Sequence, residues 1–331
     1  MSPTQPPAFA DIEDASARIA GQAVVTPLIE NAALNAQVGA RVLLKCETLQ
    51  VSGSFKFRGA YNRISRFSED EKARGVVAYS SGNHAQGVAA AAARVGTRAL
   101  IVMPSDCPAV KVEGVKRLGG EVRLYDRWRE SREAIGQEIA RERGAVLVPP
   151  FDDPFVMAGQ GTAGLEMARQ AEALGVAFDL VCAPASGGGL VGGLALAMAA
   201  LSPGTEAWAA EPADYDDHAR SLAAGERVGH APDPPPSFCD ALMAPKPGEV
   251  TWPVNSRLLK GAVSATDAEV AEAMRLAFRT LKLVVEPGGA CALACLLNGR
   301  LPAEGRTVGL VLSGGNVDPA LFARVIEGGD A

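Results

Sequence analysis

The chain has 331 residues, is 48% hydrophobic and 21% charged, and carries 32 Lys+Arg against 38 Asp+Glu, a formal net charge of −6. That balance excludes wholesale disorder, because there is ample apolar surface to bury, and it lacks the basic block that binds nucleic acid or an anionic membrane. At roughly 150 residues per domain, the length predicts about two domains.

The opening residues, MSPTQPPAFA, hold neither a basic n-region nor an apolar h-region, so no secretory signal is expected. Their three prolines predict a short disordered lead before Asp11. No uninterrupted apolar run reaches the length of a membrane span. RVLLKCE (41–47) reads as a strand. From residue 76 the order is VVAYSS (76–81), a helix after Asn83, RALIVMP (98–104), a helix near 107–118, EVRLYD (121–126), a helix near 128–143 and AVLVPP (145–150). Four strands with intervening helices predict a compact parallel α/β unit. The turn-rich PPFDDP (149–154) leads into a helix, then FDLVCAPA (178–185), a glycine run and another helix. TEAWAAEP (205–212), AVSATD (262–267), a long helix to about Leu281 and TVGLVLSGG (307–315) follow, with an irregular loop at Pro232 to Pro236. The expected organisation is a small α/β domain at 75–152 inserted into a larger one built from 1–74 and 153–331.

The six cysteines (Cys46, Cys107, Cys182, Cys239, Cys291, Cys295) form no CxxC pair, and a reducing cytoplasm is the expected setting. Only His84, His218 and His230 occur, which leaves little for a structural zinc or a Ser-His-Asp triad, and no GxSxG elbow is present.

Four local patterns carry chemistry. Ser186-Gly187-Gly188-Gly189-Leu190-Val191-Gly192 follows an apolar strand and opens a helix, where unpaired amides and the positive helix end cradle a phosphate. Tight strand–helix packing is the plain alternative. Gly187, Gly189 and Gly192 also satisfy GxGxxG, and Glu211 follows 19 residues after Gly192, which is the pattern of a nicotinamide-dinucleotide site. Ser80-Ser81-Gly82-Asn83-His84 lies between a strand and an alanine-rich helix and suits a small carboxylate, or serves only as a helix cap. Ser54-Phe55-Lys56-Phe57-Arg58-Gly59 sets a lysine between two aromatics. Such an amine is either solvated or partly desolvated, with a lowered pKa that suits imine formation and proton abstraction. Ser313-Gly314-Gly315-Asn316 ends the last strand, where ligands of open α/β sheets collect. A phosphate cradle, an imine-forming lysine, a carboxylate grip and a polar group for a ring nitrogen together describe a pyridoxal phosphate (PLP) site. A nicotinamide site would leave Lys56 and the Ser80–His84 loop idle.

At these residues the sequence resembles the threonine/serine dehydratase and serine racemase family, the fold-type II PLP enzymes. The resemblance runs from Ile19 to Val325 through GSFKFRGA (53–60), SSGNHAQG (80–87), AGQGT (158–162), SGGGL (186–190) and LSGGN (312–316), in that family's order. It implies a tryptophan synthase β-like fold, two three-layer α/β domains with PLP in the cleft between them. Lys56 would carry PLP covalently, beside Phe55. Ser186, Gly187, Gly188, Gly189 and Leu190 would hold its phosphate, Asn83 its ring hydroxyl and Ser313 its pyridine nitrogen. Ser80, Ser81, Asn83 and His84 would grip the substrate carboxylate. Arg132 matches an arginine that arrives when the small domain closes. Glu211, the Tyr215 carbonyl and Asp217 would bind Mg²⁺ or Ca²⁺; an acidic surface turn is the plain alternative.

The resemblance implies an ammonia-lyase that converts threonine, serine or 3-hydroxyaspartate to a 2-oxo acid and ammonia. A serine racemase using Ser81 as second acid/base is the near alternative; an NAD-dependent dehydrogenase and a non-catalytic PLP carrier are further ones. Ala241 and Ser186 depart from the family's usual glycines. Phe151 stands where the racemase branch tends to have asparagine and the dehydratases an aromatic, which favours dehydratase. A homodimer or homotetramer acting on a small amino acid is expected, without nucleic-acid or membrane partners. Ser313 lies 18 residues before Ala331, so no room is expected for a C-terminal regulatory domain.

Overall fold

The computed structural model describes residues 5–107 and 109–329. Among the described residues, ten strands form two sheets. The first strands are β1 (Leu28–Glu30), β2 (Arg41–Cys46), β3 (Val76–Tyr79), β4 (Ala99–Pro104) and β5 (Glu121–Tyr125). The others are β6 (Val146–Leu147), β7 (Leu180–Pro184), β8 (Glu206–Pro212), β9 (Leu259–Ala265) and β10 (Thr307–Leu312). The larger sheet has the order β1-β2-β10-β7-β8-β9 and the smaller β5-β4-β3-β6. All pairings are parallel except β1 with β2. Strands β4 and β7 are buried at every position, as expected where helices cover both faces of a parallel sheet. Two mostly parallel sheets with helices packed on them agree with the two-domain α/β fold expected from the resemblance.

Several elements differ from the sequence reading. Edge strand β1 was not anticipated, because three residues are too few to show a period. The first helix spans Phe9–Ile19 and so starts inside the proline-rich lead; residues 1–4 of that lead lie outside the described residues. The helix expected near 128–143 begins at Arg132, because the Ser131 side chain accepts from Ala134 N and fixes the start there. The long helix to Leu281 is an α-helix over Asp267–Leu276 followed by a π-helical turn, Ala277–Leu281, ending on left-handed Lys282. No helix among the described residues is long and apolar enough to cross a membrane, and all six cysteines are free.

The helix Pro154–Ala173 fixes where the site's two key helices stand. Its AGQGT segment is a packing device. A Cβ at Gly159 would stand 2.6 Å from the Gly59 Cα, and one at Gly193 would stand 2.6 Å from the Gly161 Cα. Backbone therefore meets backbone on two sides of one helix. On one side lies the helix Lys56–Ile64, on the other Gly189–Leu201. The Gln160 side chain accepts from Gly59 N at 3.1 Å and locks the first contact. Gly159→Ala should cost about 1–3 kcal/mol by overpacking. It should lower the denaturation midpoint; an unchanged midpoint would mean that the two helices are free to part.

Candidate active site

The first residue of the Lys56 helix is tied to the end of β10. Ser54 forms an antiparallel bridge with Gly314, and Phe55 N donates to the Ser313 carbonyl at 3.1 Å. The Lys56 Nζ donates to the Pro150 carbonyl at 2.7 Å and stands 5.1 Å from the Phe55 ring centroid. The residue keeps some solvent contact, yet desolvation of its amine dominates and lowers its pKa to about 8, with the Glu286 charge pulling the other way. About a tenth is thus free base at neutral pH, far more than for an ordinary lysine, and this is the form that reacts with carbonyl carbon or takes a proton.

Gly188, at φ +88°, caps the helix Gly189–Leu201. A Cβ at Gly188 would meet the Asn255 amide at 2.2 Å, and one at Gly187 would meet the Phe151 ring at 2.2 Å, so neither position accepts a side chain. The Gly187 carbonyl accepts from Thr251 Oγ1 at 2.5 Å and Gly248 N at 3.1 Å; the Gly188 carbonyl accepts from Asn255 Nδ2 at 3.2 Å. With these carbonyls anchored, the helix's first amides, Gly189 to Val191, lack intrahelical partners and suit an anion. Phe151 links this cradle to Pro150 and hence to the Lys56 amine.

Asn83 is the first residue of the helix Asn83–Val95, and Gly82 is its cap. Its Nδ2 donates to Glu286 Oε1, and its Oδ1 accepts from Asn316 Nδ2 at 2.8 Å. Burial raises Glu286 to about 7, so this carboxyl straddles its two protonation states at neutral pH. His84 is buried; desolvation, with the Lys56 charge adding to it, drives its pKa down to about 3. Its neutral ring bonds the Val148 carbonyl through Nε2 at 3.0 Å, and Nδ1 has no partner. Among the described residues, the Ser81 and Ser313 hydroxyls make no side-chain hydrogen bond.

Beyond the Ser80–Ser81 turn lies a polar cavity of about 90 Å³, lined by Ser80, Ser81, Tyr125, Arg127 and Arg132 among others. It sits past the C-terminal ends of β3, β4 and β5, where open α/β sheets take ligands. Asp106 holds one edge of Arg127 (2.8 Å) and Glu133 one edge of Arg132 (2.7 Å). The Arg132 guanidinium carbon is 5.8 Å from the Tyr79 ring centroid.

Glu211 is the penultimate residue of β8 and is fully buried, as are Asp217 and His218. Glu211 accepts from His218 N (2.8 Å) and Ala219 N (3.0 Å), and His218 Nδ1 stands 3.1 Å from it. A carboxylate enclosed in this way is not offered to a ribose, so the nicotinamide reading loses its acidic partner. Both Asp217 carboxyl oxygens are buried without a hydrogen-bond partner, and burial, with the Glu211 charge adding to it, raises the Asp217 pKa to about 9. The Tyr215 ring is buried and its hydroxyl donates to the Pro235 carbonyl at 3.1 Å.

The structure thus gathers Lys56, Phe55, Asn83, the 186–190 cradle and Ser313 around one cleft. It puts Ser80, Ser81 and Arg132 on an adjoining cavity and Glu211 and Asp217 behind the cradle. Sequence reasoning missed Glu286, Asn255, His218 and Arg127. Only Glu286 had a local signal, an acid before Pro287-Gly288-Gly289 at a helix start. The donor set fits PLP on three observations: a desolvated amine, a glycine cradle with anchored carbonyls, and an unengaged Ser313 hydroxyl.

Reaction of Lys56 with an amine-selective aldehyde should show a pH midpoint near the value of about 8, roughly two units below an exposed lysine. Glu286→Gln removes the charge that supports the protonated amine and should lower the midpoint further. A midpoint near 10 would refute a desolvated amine.

A family profile described as "Pyridoxal-phosphate dependent enzyme" matches residues 19–314. An L-threo-3-hydroxyaspartate ammonia-lyase from a Pseudomonas species is 41% identical over 97% of this chain and 98% of its own length. A serine racemase from Oryza sativa subsp. indica is 40% identical over 93% of this chain and 90% of its own. The solved structure of maize serine racemase superposes with a TM-score of 0.90 at 38% identity, covering 98% of both chains. The chain belongs to the pyridoxal-phosphate dependent enzymes, in the threonine/serine dehydratase and serine racemase family of fold type II.

Proposed function

We propose that this chain is a PLP-dependent ammonia-lyase that converts a β-hydroxy amino acid to a 2-oxo acid and ammonia, with 3-hydroxyaspartate preferred over threonine and serine. The observation that carries the reading is the desolvated Lys56 amine, tied through Pro150 and Phe151 to the glycine cradle and through Phe55 to Ser313. Bound PLP supplies an electron sink conjugated to the substrate's Cα.

Lys56 would hold that group and would take the Cα proton on Nζ; its lowered pKa favours the free base that does so. The amides of Gly189, Leu190 and Val191 would hold the phosphate, with Ser186 adding a hydroxyl. Ser313 would serve the pyridine nitrogen as a neutral partner. Asn83, oriented by Glu286 and Asn316, would serve the ring hydroxyl. The substrate carboxylate sits at the start of the Asn83 helix, held by Ser80, Ser81 and Asn83. His84 contributes its main-chain amide, because its neutral ring is bonded to Val148. Loss of the Cα proton and the β-hydroxyl removes water; later addition of water and release of ammonia give the 2-oxo acid.

The acidic preference rests on Arg127 and Arg132 lining one cavity with the two serines. Each keeps N–H donors beyond the edge its own acid occupies, enough for a substrate's distal carboxylate. Closure of the 75–152 unit over 1–74 and 153–331 would bring them onto the substrate. A divalent cation at Glu211, Asp217 and the Tyr215 carbonyl belongs to this reading and would relieve the unpartnered Asp217 carboxylate. So does assembly with a second copy, checked by sedimentation.

Serine racemisation is the second reading, favoured by the unengaged Ser81 hydroxyl. Ser81→Ala should abolish racemisation of serine, while elimination keeps most of its kcat and loses substrate affinity through a raised KM; equal loss of kcat in both would refute this division. Lys56→Ala should remove the visible absorbance of covalently held PLP and all 2-oxo acid formation. A protein that stays colourless with added PLP would overturn the proposal, and one that colours without turning over substrate would be a carrier. Arg127→Gln should raise KM for 3-hydroxyaspartate about tenfold, the worth of a charged hydrogen bond, and leave serine unaffected. Equal losses on both substrates would remove the acidic preference.

A further inference from the structure

We propose that His218 supplies a nitrogen ligand to the cation site at Glu211 and Asp217, making it a site for a Mn²⁺- or Zn²⁺-class ion and not for Mg²⁺ or Ca²⁺. The inference deepens the cation reading above and rests on it. Three side chains from the end of β8 and the start of the helix Asp217–Ala224 converge here, all without solvent contact. One donor atom from each lies within 4.8 Å of the others.

The spacing has the form of a coordination shell. His218 Nδ1 stands 3.1 Å from Glu211 Oε1 and 3.5 Å from Asp217 Oδ2. Neighbouring ligands on an ion with bonds of about 2.1–2.2 Å are roughly 3.0–3.1 Å apart in an octahedron and roughly 3.4–3.6 Å apart in a tetrahedron. A hydrogen bond from Nδ1 to Glu211 accounts for the first distance alone. It leaves both oxygens of the buried Asp217 carboxyl without a hydrogen-bond partner, and a buried polar group left unsatisfied is costly. An ion between the three groups accounts for both. Imidazole nitrogen then sets the class, since Ca²⁺ and Mg²⁺ favour all-oxygen shells and imidazole suits Zn²⁺ and the later divalent metals.

The far side of the ring reaches the cradle. His218 Nε2 is 3.1 Å from Asn255 Nδ2, which donates to the Gly188 carbonyl at 3.2 Å. Ligation through Nδ1 leaves the ring proton on Nε2, and two donors then face each other. Asn255 Oδ1 is buried with no partner, so a half-turn of the amide supplies the acceptor and gives up the bond to Gly188. Cation occupancy is thereby transmitted to the phosphate cradle through one imidazole and one amide.

The test is pulsed electron paramagnetic resonance of Mn²⁺ bound to the chelator-stripped, PLP-loaded protein. The expected result is one bound Mn²⁺ with a directly coupled ¹⁴N, replaced by a ¹⁵N pattern when histidine is ¹⁵N-labelled. This Mn²⁺ should withstand about a tenfold excess of Ca²⁺. His218→Gln should lose the nitrogen coupling and the resistance to Ca²⁺; the isotope experiment needs no variant and stands if His218→Gln fails to fold. Bound Mn²⁺ without nitrogen coupling overturns the role of His218 while keeping a cation. Absence of bound Mn²⁺ overturns both. Assay of 2-oxo acid on the same sample reports the lyase reading separately.

Discussion

Arg58 sits with no solvent contact between two carboxylates, Glu47 at 2.8 Å and Glu166 at 2.7 Å, and the placement of Lys56 depends on it. Glu166 also receives Lys45 at 2.7 Å, while Glu47 accepts from the Thr26 hydroxyl. Two cations and two anions cancel, and the remaining donors reach the carbonyls of Val24 and Thr26. Burial works against the ionised Glu47 and Arg58, and their mutual attraction prevails: Glu47 is held below its ordinary pKa and Arg58 above. Removing one member would strand a buried charge, a loss of about 3–5 kcal/mol. The network joins β2, the chain before β1, the Lys56 helix and the Gln160 helix. Arg58 thereby faces inward and leaves Lys56, two residues earlier, at the cleft.

The cleft itself works through desolvation. Withdrawal from water lowers Lys56 and His84 and raises Glu286, all in the direction of less charge. The Lys56 and Glu286 charges support one another across the cleft, so an event that changes one alters the other. The neutral His84 avoids adding a second cation beside Lys56. The site is thus an environment tuned as a unit, in which the lysine's chemistry belongs as much to Glu286 as to the flanking phenylalanines.

The parallel strands were legible because apolar runs of four to eight residues alternate with helical stretches, and the glycine and serine turns were legible because they sit at strand ends. Lys56, the 186–190 turn, the Ser80–His84 loop and Ser313 could therefore be picked out before their proximity was visible. Their partners could not. Asn255 reaches Gly188 across 67 residues, Glu286 meets Asn83 across 203, and Pro150 meets Lys56 across 94. None of these contacts has a period or spacing. The sequence suggested an all-oxygen acidic turn at Glu211 to Asp217, while the chain's next residue, His218, turns its ring into the same space.

The glycine contacts of the Pro154–Ala173 helix carry a consequence for how signatures are interpreted. AGQGT stands among the motifs that distinguish this family, yet its contacts in this structure are with neighbouring helices, and its glycines serve by having nothing to offer but room. A fingerprint can mark an enzyme by the masonry behind its catalytic wall. Counting every shared motif as part of the reacting surface would enlarge the site by residues whose work is mechanical. Grafting Lys56 and the cradle onto another scaffold without that spacer would reproduce the chemistry's parts and lose the distance between them.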